Sequence, residues 1–524
     1  MDFSKIALGI ELGSTRIKAV AVGFDGSVAA SGSFGWENSF INGVWTYSME
    51  EVVKGVRACY ADLREDCVRR YGEAPSTFAA IGVSAMMHGY IALDAERQVI
   101  APFQTWRNEN TGSAAAELTE AFGTNIPLRW SIAHLYQRIL DREEHLDRLA
   151  GVCTLAAYVH ELLTGESVLG SGDASGMFPL NAEGTSYDPG LVRRFESMAA
   201  SKGYPFELSK LFPRVLPAGE RAGSLTSDGA ALLDDSGVLR PGIPFCPPEG
   251  DAGTGMVATN SVAPGTGNLS AGTSAFAMVV LEKPLKKLHR ELDNVTTPDG
   301  RPVAMSHANN GTGDIDAWAG VFSELLERAG ARLSKPELYD LLYGASLDSE
   351  PDCSGVVSFG YLSGEFLTGV PSGAPSLFRR AGSDFTLASL MRSHVYAALA
   401  AVRIGLDIMT VDEGVKIRRM LAHGGLFKSR GVAQKYFADA INAPVDVMPT
   451  AGEGGPWGMA LLAAYSVAGD GLTLPGFLDK KVFSRVECVT EKPTPEGVEG
   501  FNRYLENYKA LLPAVRSAAE ASSD

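Results

Sequence analysis

One short pattern occurs twice in this chain: an apolar strand, a turn made of a glycine and two hydroxyl residues, and a second apolar strand. The first copy has the strand candidates 6–12 and 16–24, and the second has 266–272 and 275–282. The two turns are Gly13-Ser14-Thr15 and Gly272-Thr273-Ser274. Two copies of one domain that face each other would present both turns to a shared cleft. The repeat therefore predicts a two-part molecule with its functional site between the parts.

Strands alternate with helices around both copies of this pattern. In the first part, the strand candidate 28–34 is followed by a helical pattern at 49–72 and a buried strand at 78–86. The helical segments of the second part are 312–330, 385–408, 427–441 and 453–468, and its further strand candidates are 354–360, 419–424 and 444–448. This alternation predicts an α/β fold in both parts.

The length of 524 residues exceeds what one hydrophobic core usually holds. Prolines and glycines cluster near residues 250–262, where we expect the boundary between the parts. The expected division is 1–255 for an N-terminal domain that binds the substrate, 256–480 for a C-terminal domain, and 481–524 for a helical tail. We expect the last dozen residues to be the frayed end of a helix.

The charge balance argues against several classes of partner. Lys plus Arg number 46 and Asp plus Glu number 62, which gives a formal net charge of −16. Nucleic acid and anionic membrane surfaces repel such a chain, so we expect neither as a partner. The six cysteines form no C-x-x-C pair, no run of about 18 apolar residues occurs, and the N-terminus lacks a signal-peptide pattern. These features predict a cytoplasmic protein.

The two turns have the chemistry of a phosphate site. Glycine lets a backbone approach a phosphate closely, and successive N–H groups in a turn form an anion-binding nest. Lys18 follows shortly after the first turn. One such turn alone is better explained by a plain β-hairpin, whereas two matching turns in one chain favour phosphate binding.

Two further segments carry candidate site residues. Asp251 lies between Gly250 and Gly253, where little side-chain bulk surrounds it, and this suits a general base that meets a substrate. An Asx turn is the alternative explanation. Gly424 and Gly425 end a strand and precede a helix, so a flat group can approach them near a helix N-terminus. Taken alone, these two glycines are better explained by a tight strand–helix turn.

Motifs of several other enzyme classes do not occur in the sequence. It has no G-x-x-x-x-G-K-[ST] and no G-x-G-x-x-G, which argues against a P-loop enzyme and a Rossmann dehydrogenase. It has no H-E-x-x-H, and its eight histidines show no zinc-binding spacing.

Taken together, these segments resemble the FGGY family of carbohydrate kinases, and within it the pentulose kinases such as xylulokinase. The resemblance consists of ordered motifs over about 5–470. These motifs are GIELGSTRIKA (9–19), SAMMHG (84–89), FQTWRNENT (103–111), ELLTGESVLGSGDASGM (161–177), GDAGTG (250–255), LSAGTSAF (269–276), YLSGE (361–365), HGGLFKSRGVAQKYFADAINAPV (423–445) and EGGPWGMALLAA (453–464).

The resemblance implies two ribonuclease-H-like domains, as in actin and hexokinase, that close on ATP and a sugar. It implies that Asp251 is the general base, which takes the proton from the sugar hydroxyl that attacks the γ-phosphorus of ATP. The implied nucleotide-binding residues are Gly13, Ser14, Thr15, Lys18, Gly272, Thr273, Ser274, Gly424, Gly425 and Lys428. The implied sugar-binding residues are Met87, His88, Trp106, Arg107 and Asp251. The implied ligands of Mg²⁺ are Glu11 and Asp251.

The chain departs from the family pattern at four places. Glu11 stands where the family usually has Asp, and a Glu can still reach magnesium through water because it is one methylene longer. The other departures lie on the sugar side, and they are Ala85-Met86 before Met87-His88, Arg107-Asn108-Glu109 after Trp106, and Phe366-Leu367-Thr368 after segment 361–365. The resemblance therefore implies a kinase and leaves the sugar open.

The function expected from the sequence is ATP-dependent phosphorylation of a terminal hydroxyl of a small ketose, namely xylulose or ribulose. The alternative substrate is a polyol or sugar acid, such as erythritol, glycerol or gluconate. A further alternative is a nucleotide-binding sensor that closes without turnover, which Glu11 keeps open and which Asp251 and both turns argue against. We also expect domain closure on sugar binding, and a homodimer, which is common in such kinases.

Overall fold

The computed structural model describes residues 1–429, 431–448 and 454–522. Arg430 and Glu453, which the sequence places in helical segments, lie outside the described residues. Two large mixed sheets form the frame of the molecule. The strands of the first sheet are β1 (Ile6–Leu12), β2 (Arg16–Gly23), β3 (Val28–Gly35), β4 (Ala80–Ala85) and β5 (Glu249–Gly250). The strands of the second are β6 (Thr266–Ala271), β7 (Ala275–Val280), β8 (Leu292–Thr296), β9 (Pro302–Ala308), β10 (Arg419–His423), β11 (Val445–Val447) and β12 (Val489–Glu491).

The two sheets repeat one topology. The first has the order β5-β4-β1-β2-β3, and the second contains the matching order β11-β10-β6-β7-β9. In each sheet the first strand of the repeat pairs antiparallel with the next strand and parallel with a later one. The second sheet is longer because β8 and β12 add an edge strand at either side. The α/β fold with two related halves, predicted from the repeated turn, is therefore present.

Helices cover both faces of this frame. Those of eight residues or more are α1 (Met49–Tyr71), α2 (Gly112–Phe122), α3 (Ser131–Asp141), α4 (Leu155–Thr164), α5 (Pro189–Ser201), α6 (Asp251–Ala258), α7 (Gly313–Arg328), α8 (Lys335–Ser346), α9 (Leu387–Asp407), α10 (Val432–Ile441), α11 (Gly454–Ala468) and α12 (Pro495–Ala521). Short strands pair in ribbons, namely Ser39–Ile41 with Val44–Thr46, Ile91–Leu93 with Gly151–Cys153, Val168–Gly170 with Arg214–Leu216, and Val356–Phe359 with Ser376–Arg379.

The helix α11 belongs to the hydrophobic core of the first half. It packs on β1, β4 and α6, and its side chains from Trp457 to Ala464 join the core of the first sheet. The approach is close because a side chain at Gly9 would meet backbone atoms of Pro456 and Ala460. The range 256–480, expected for the second domain, thus contains a helix that completes the first core.

The C-terminal helix α12 is part of the second core. Thr494 caps its N-terminus by accepting a hydrogen bond from the Gly497 amide at 3.2 Å. Tyr508 is fully buried and lies 2.5 Å, oxygen to oxygen, from the hydroxyl of Tyr361. Ala519 is also buried in the core. The prediction of a frayed end for the last dozen residues is wrong for the part that the structure describes, because one face of α12 packs on the second half.

The helix α9 and its continuation to Asp412 are apolar and long enough to cross a membrane by length and composition alone. Of this segment's most apolar window, 67% is buried inside the molecule. Its side chains, such as Met391 and Val395, are in the second core. Its apolar character is therefore accounted for by packing within the second half.

Candidate active site

The first Gly-hydroxyl-hydroxyl turn is fixed from behind by two aromatic side chains. Trp36 donates its indole N–H to the carbonyl of Gly13 at 2.7 Å, and Tyr47 donates its hydroxyl to the carbonyl of Ser14 at 2.5 Å. The rings of Trp36 and Tyr47 stack with their centroids 4.2 Å apart. Because these carbonyls are bonded on the far side, the turn presents the exposed side chain of Thr15 on its open side.

The second turn closes over three residues where the first closes over four, and it has a different support. The amides of Gly311 and Thr312 donate to the carbonyls of Thr273 and Gly272, each at 2.8 Å. The Thr312 hydroxyl adds a bond of 3.1 Å to the carbonyl of Gly272. Thr273 is exposed, as Thr15 is in the first turn. Both turns are therefore held through their carbonyls, as an anion-binding nest requires.

Asp251 is the first residue of α6, directly after the short strand β5. Its Oδ1 accepts a hydrogen bond of 3.1 Å from the backbone N–H of Met87. The side chain is open to solvent, yet protein atoms surround it closely, and this burial raises the pKa of Asp251 against the opposing effect of the Met87 amide. A carboxylate that is accessible and has a raised pKa suits a general base.

The turn at Met87 and His88 lies beside Asp251. His88 has a φ of 71°, in the left-handed region, and its Nδ1 lies 3.1 Å from the carbonyl of Gly176. Burial, with a smaller effect from the charge of Arg129, lowers the pKa of His88 to about 3. His88 is therefore neutral near pH 7, and the turn offers neutral groups next to the carboxylate.

Glu11, at the end of β1, is the second carboxylate of the site. Burial and the charge of Asp251 raise the pKa of Glu11 to about 8, while Lys18, Thr254 and Ser84 oppose the shift. Glu11 Oε2 is buried and has no hydrogen-bond partner among the described residues. It points at Gly455, where a side chain would collide with it, at the start of α11.

This pair of acids fits a magnesium ion that is held mainly by phosphates. Among the described residues, no group of three or more His, Cys, Asp or Glu is arranged to hold a metal by itself. Mg²⁺ usually keeps several waters and is bound through one or two carboxylates together with substrate phosphates. The unpartnered Oε2 of Glu11 and the mutual repulsion with Asp251 are the features that a cation would relieve.

The segment after Phe103 approaches the first turn. Trp106 is 40% exposed and donates its indole N–H to the hydroxyl of Ser14 at 3.3 Å. Arg107 lies over the ring of Trp45, with its guanidinium carbon 3.6 Å from the ring centroid. Asn108 is buried and bonds both backbone groups of Trp45. Trp106 therefore lies beside the other site residues, whereas Arg107 contacts the hairpin that precedes them.

The glycine pair after β10 lies against the second turn. Gly424 has a φ of 100°, and a side chain there would meet the carbonyl of Ala271, directly before Gly272. Gly425 and Lys428 begin and end a short 3₁₀ turn, and both are exposed. At position 424, only glycine permits the positive φ and the close approach to Ala271. The predicted residues thus form two groups, one around Asp251 on the first half and one around Thr273 on the second.

Sequence reasoning missed the residues that support the site. Trp36 and Tyr47 have no local pattern that links them to the first turn. Asp173 and Glu249 are fully buried acids next to the Met87–His88 turn and Asp251. Asp173 belongs to the D-A-S part of the motif at 161–177, and Glu249 is two residues before Asp251. These positions in the sequence were the only signals that linked the two acids to the site.

A cavity of about 420 Å³ lies between the two halves beside this site. Its wall in the first half includes Glu109 and Arg129, and its wall in the second half includes Asp293, His307 and Phe366. Arg129 and Asp293 form an ion pair across the two halves. The amide of Gly89, directly after His88, donates to the carbonyl of Arg129 at 3.3 Å, so this end of the cavity borders the turn at Met87 and His88.

Comparison with known proteins decides the family. The model of the N-terminal domain of the FGGY family of carbohydrate kinases matches residues 6–257, and the model of its C-terminal domain matches residues 267–467. The chain belongs to the FGGY family of carbohydrate kinases. The resemblance inferred from the sequence motifs is thereby confirmed. FGGY carbohydrate kinases use ATP as the phosphate donor, and this protein is a kinase of that family with a small-molecule sugar as its acceptor.

Individual relatives of this FGGY kinase differ in their substrates. A xylulose kinase from Haemophilus influenzae is 21% identical, with 71% of this chain and 72% of the relative covered. A ribulokinase from Shouchella clausii is 24% identical, covering 76% and 70%. A gluconokinase from Bacillus subtilis is 23% identical, covering 88% and 87%.

The solved structure of a xylulose kinase from Rhodospirillum rubrum has the same fold as this FGGY kinase. It superposes with a TM-score of 0.79 at 22% identity and covers 98% of this chain and 100% of that one. The predicted two-domain, actin-like ATPase fold is therefore confirmed.

Proposed function

We propose that this FGGY kinase transfers the γ-phosphate of ATP to a terminal hydroxyl of a small ketose, a pentulose such as xylulose or ribulose. The observation that supports this best is the position of Asp251. Its carboxylate is accessible, is held by the Met87 amide, and lies near enough to Glu11 for its charge to raise the pKa of that acid. Xylulose kinase and ribulokinase are among the relatives, which favours a pentulose over other sugars.

In this proposal Asp251 is the general base. The sugar hydroxyl lies against its carboxylate, and the proton passes to Asp251 as the oxygen attacks the γ-phosphorus. The oxygen–phosphorus bond forms while the bond between the γ-phosphorus and the leaving oxygen of ADP breaks. Neutral His88 and the Met87 turn form the wall beside the base, and Trp106 lies near the first turn.

The two turns hold the phosphates in this proposal. Gly13-Ser14-Thr15 and Gly272-Thr273-Ser274 face the nucleotide from opposite halves, with Thr15 and Thr273 on phosphate oxygens. Gly424 and Gly425 flank the adenosine, with Lys428 close by. Fixed donors of this kind stabilise charge in phosphoryl transfer without having to reorganise.

Glu11 and Asp251 are the residues that we propose to hold Mg²⁺, directly or through water. When bound, the ion neutralises charge on the phosphate oxygens. Because the pKa of Glu11 is raised to about 8, this carboxyl is mostly protonated at pH 7 before the nucleotide binds. A bound cation favours the ionised form, so binding of the nucleotide with Mg²⁺ should release protons near pH 7.

A sugar acid is the second candidate substrate, because the gluconokinase covers the largest share of this chain among the three relatives described above. Arg129, which borders both His88 and the cavity between the halves, is a cation that a substrate carboxylate can reach if its pair with Asp293 opens.

We propose that the reaction takes place in the cytoplasm, since the six cysteines are all free and five of them are buried.

The test is ADP release by the purified protein with ATP and Mg²⁺ against ketopentoses, ketohexoses, polyols and aldonic acids. A clear rate with one ketopentose would support the proposal, and a rate with aldonic acids alone would support the second candidate. ATP binding with no turnover on any of them would instead favour a nucleotide sensor. Glu11→Asp in the same assay then tests whether the longer acid prevents turnover.

The variant Asp251→Asn tests the base. We expect turnover to fall by about a hundredfold to ten-thousandfold, because one positioned general base contributes that much. ATP binding in the absence of Mg²⁺ should stay unchanged, because both turns remain intact. Near-normal turnover in this variant would show that another group removes the proton.

A further inference from the structure

A short helix lies behind the sugar-side turn and supports it. This helix, Ser171–Ser175, packs so closely that a side chain at Gly176 would come within 2.5 Å of Met87 and 2.6 Å of His88. A side chain at Gly250 would come within 2.8 Å of Met87 and 3.2 Å of Asp173. Glycines at these two positions therefore bring the helix, the turn and the strand before Asp251 into direct contact.

Asp173, in the middle of this helix, is fully buried beneath the turn. Its Oδ2 accepts a hydrogen bond of 2.7 Å from the hydroxyl of Thr154. Its Oδ1 has no hydrogen bond of good geometry within the described chain, although the backbone N–H of His88 acts on the carboxylate. A buried carboxylate oxygen without a full partner is costly. This oxygen faces Gly250, so Asp173 lies between the turn and the strand before Asp251.

Glu249 fixes Asp173 relative to the strand that carries Asp251. It is fully buried, and its two oxygens accept from the amides of Gly172 at 3.1 Å and Asp173 at 2.9 Å. Glu249 is two residues before Asp251 on the same stretch of chain. The position of the short helix is thus tied to the position of the proposed base.

The second half of the molecule also contacts this helix. Thr296, at the end of the edge strand β8, donates its amide to the Ser175 hydroxyl and its own hydroxyl to the carbonyl of Ser171, each at 2.9 Å. A movement of the second half toward the first therefore acts on the helix that holds Asp173.

We propose that Asp173 is a positioning residue for phosphoryl transfer, which holds the Met87–His88 turn so that the Met87 amide orients the carboxylate of Asp251. The proposal rests on the proposed kinase reaction, and it adds a residue that does not touch the sugar or ATP. The Met87 amide donates to Asp251, and His88, the next residue, has a left-handed conformation. The His88 ring bonds the Gly176 carbonyl directly after the short helix that contains Asp173.

The experiment compares Asp173→Ala with Asp173→Asn. The alanine variant should lower kcat by about 10- to 100-fold, because a displacement of about 1 Å at the reacting groups costs that much. Its KM for ATP should stay within about twofold, since neither turn is touched. Asparagine should restore kcat to within about threefold, because its oxygen can accept from the His88 amide while the Thr154 hydroxyl accepts from its NH₂ group.

Asp439→Ala is the matched control. Asp439 is a fully buried carboxylate of the second half, and it accepts from the amide of Thr494 at 2.7 Å. This variant should lose stability and keep its kcat. Equal effects of the two alanine variants on kcat, or no recovery with asparagine, would overturn the proposal. If Asp173→Ala does not fold, Thr154→Val replaces it, with an expected loss in kcat that is smaller but in the same direction.

Amide hydrogen exchange separates this proposal from the proposed reaction. In the protein without substrate, Asp173→Ala should increase exchange in segment 84–90, whereas Asp439→Ala should not. A wild-type protein that phosphorylates no sugar would contradict the proposed reaction. Unchanged exchange in Asp173→Ala would contradict the positioning role whether or not a substrate has been found.

Discussion

The two Gly-hydroxyl-hydroxyl turns are made of the same residue types and have two kinds of support. In the first half, side chains of Trp36 and Tyr47 hold the carbonyls of Gly13 and Ser14. In the second half, the backbone amides of Gly311 and Thr312, directly before α7, bond the carbonyls of Thr273 and Gly272. The first support is made by residues that can be exchanged singly. The second support consists mainly of backbone hydrogen bonds, so a substitution affects it chiefly by adding bulk that moves the backbone.

The difference teaches that a repeated turn need not be kept in place by repeated residues. An anion-binding turn needs its carbonyls bonded away from the ligand, and any donor in the right place satisfies that requirement. The two turns should therefore respond to different substitutions. The first should be sensitive to loss of a hydrogen-bond donor, and the second to added bulk.

The largest effect is expected for Gly311→Ala in the second half. The new methyl group would collide with the carbonyl of Gly272 and lie 3.2 Å from the carbonyls of Thr273 and Ser274. Because all three contacts are backbone atoms, the turn itself must move. We expect ATP affinity to fall by about 100-fold, which corresponds to about 3 kcal/mol, measured by titration calorimetry.

Gly320→Ala is the control for that experiment. Gly320 lies within α7, and nothing lies within 4 Å of the position where its side chain would be. Alanine there should leave ATP binding unchanged and stabilise the helix by about 0.5–1 kcal/mol. If the two variants bind ATP equally well, the second turn is not a phosphate site.

A smaller effect is expected for Tyr47→Phe in the first half. The variant keeps the ring against Trp36 and removes the hydroxyl that bonds the Ser14 carbonyl. Loss of one partner of a buried hydrogen bond costs about 1–3 kcal/mol, so kcat/KM should fall by about 5- to 100-fold in the kinase assay. Tyr71→Phe removes a similar bond of 2.9 Å to the carbonyl of Ala29, away from the turn, and should leave kcat/KM unchanged.

Three buried acids of the first half have strongly raised pKa values, and this predicts a pH effect on stability. Burial raises the pKa of Glu11 and Glu249 to about 8 and that of Asp173 to about 7. The unfolded chain ionises these groups near pH 4, while the folded protein keeps them protonated until pH 7–8. The stabilisation is therefore complete below about pH 4 and is lost as the pH rises to 8.

The variant Glu249→Gln makes this pH effect measurable. Glutamine cannot ionise, so the free energy of unfolding should fall less between pH 5 and 8 than in the wild type, by about 1 kcal/mol or more. The measurement is the midpoint of thermal unfolding against pH without Mg²⁺. An equally steep fall in wild type and variant would show that Glu249 does not titrate in this range.

The smallest effect is expected for Thr312→Val. The hydroxyl of Thr312 bonds the Gly272 carbonyl at 3.1 Å, but the amide of the same residue bonds it at 2.8 Å and remains in the variant. ATP affinity should change by less than about fivefold, since less than about 1 kcal/mol is at stake. A loss as large as that of Tyr47→Phe would contradict a support made mainly of backbone.

The local elements were predictable where periodicity and turn chemistry agree. The predicted strand 6–12 is Ile6–Leu12, and the predicted helix 49–72 is Met49–Tyr71. The repeat of the two turns also led to the correct fold class, because both copies showed strands on either side. The prediction that Asp251, Glu11 and Met87 belong to one site came from family motifs. In the structure, Met87 bonds Asp251, and the charge of Asp251 acts on the pKa of Glu11.

The supports of the site could not be predicted because they are long-range and specific. No local pattern says that the hydroxyl of Tyr47 meets the carbonyl of Ser14, and many tyrosines are available. Nothing in the sequence indicates that Glu249 is buried, because the two amides that bond its carboxylate come from residues 77 and 76 positions earlier in the chain. Likewise, the apolar sequence of α11 signals burial without saying which sheet it covers.

The position of α11 has a consequence for how the chain is made. The face of the first sheet that this helix covers belongs to strands near the N-terminus, but Gly454–Ala468 leaves the ribosome only after most of the second half. Until then that apolar face is open to water and to other chains, which favours aggregation. A nascent chain halted before this helix should therefore need a chaperone. The N-terminal half expressed alone should aggregate instead of folding as an independent domain.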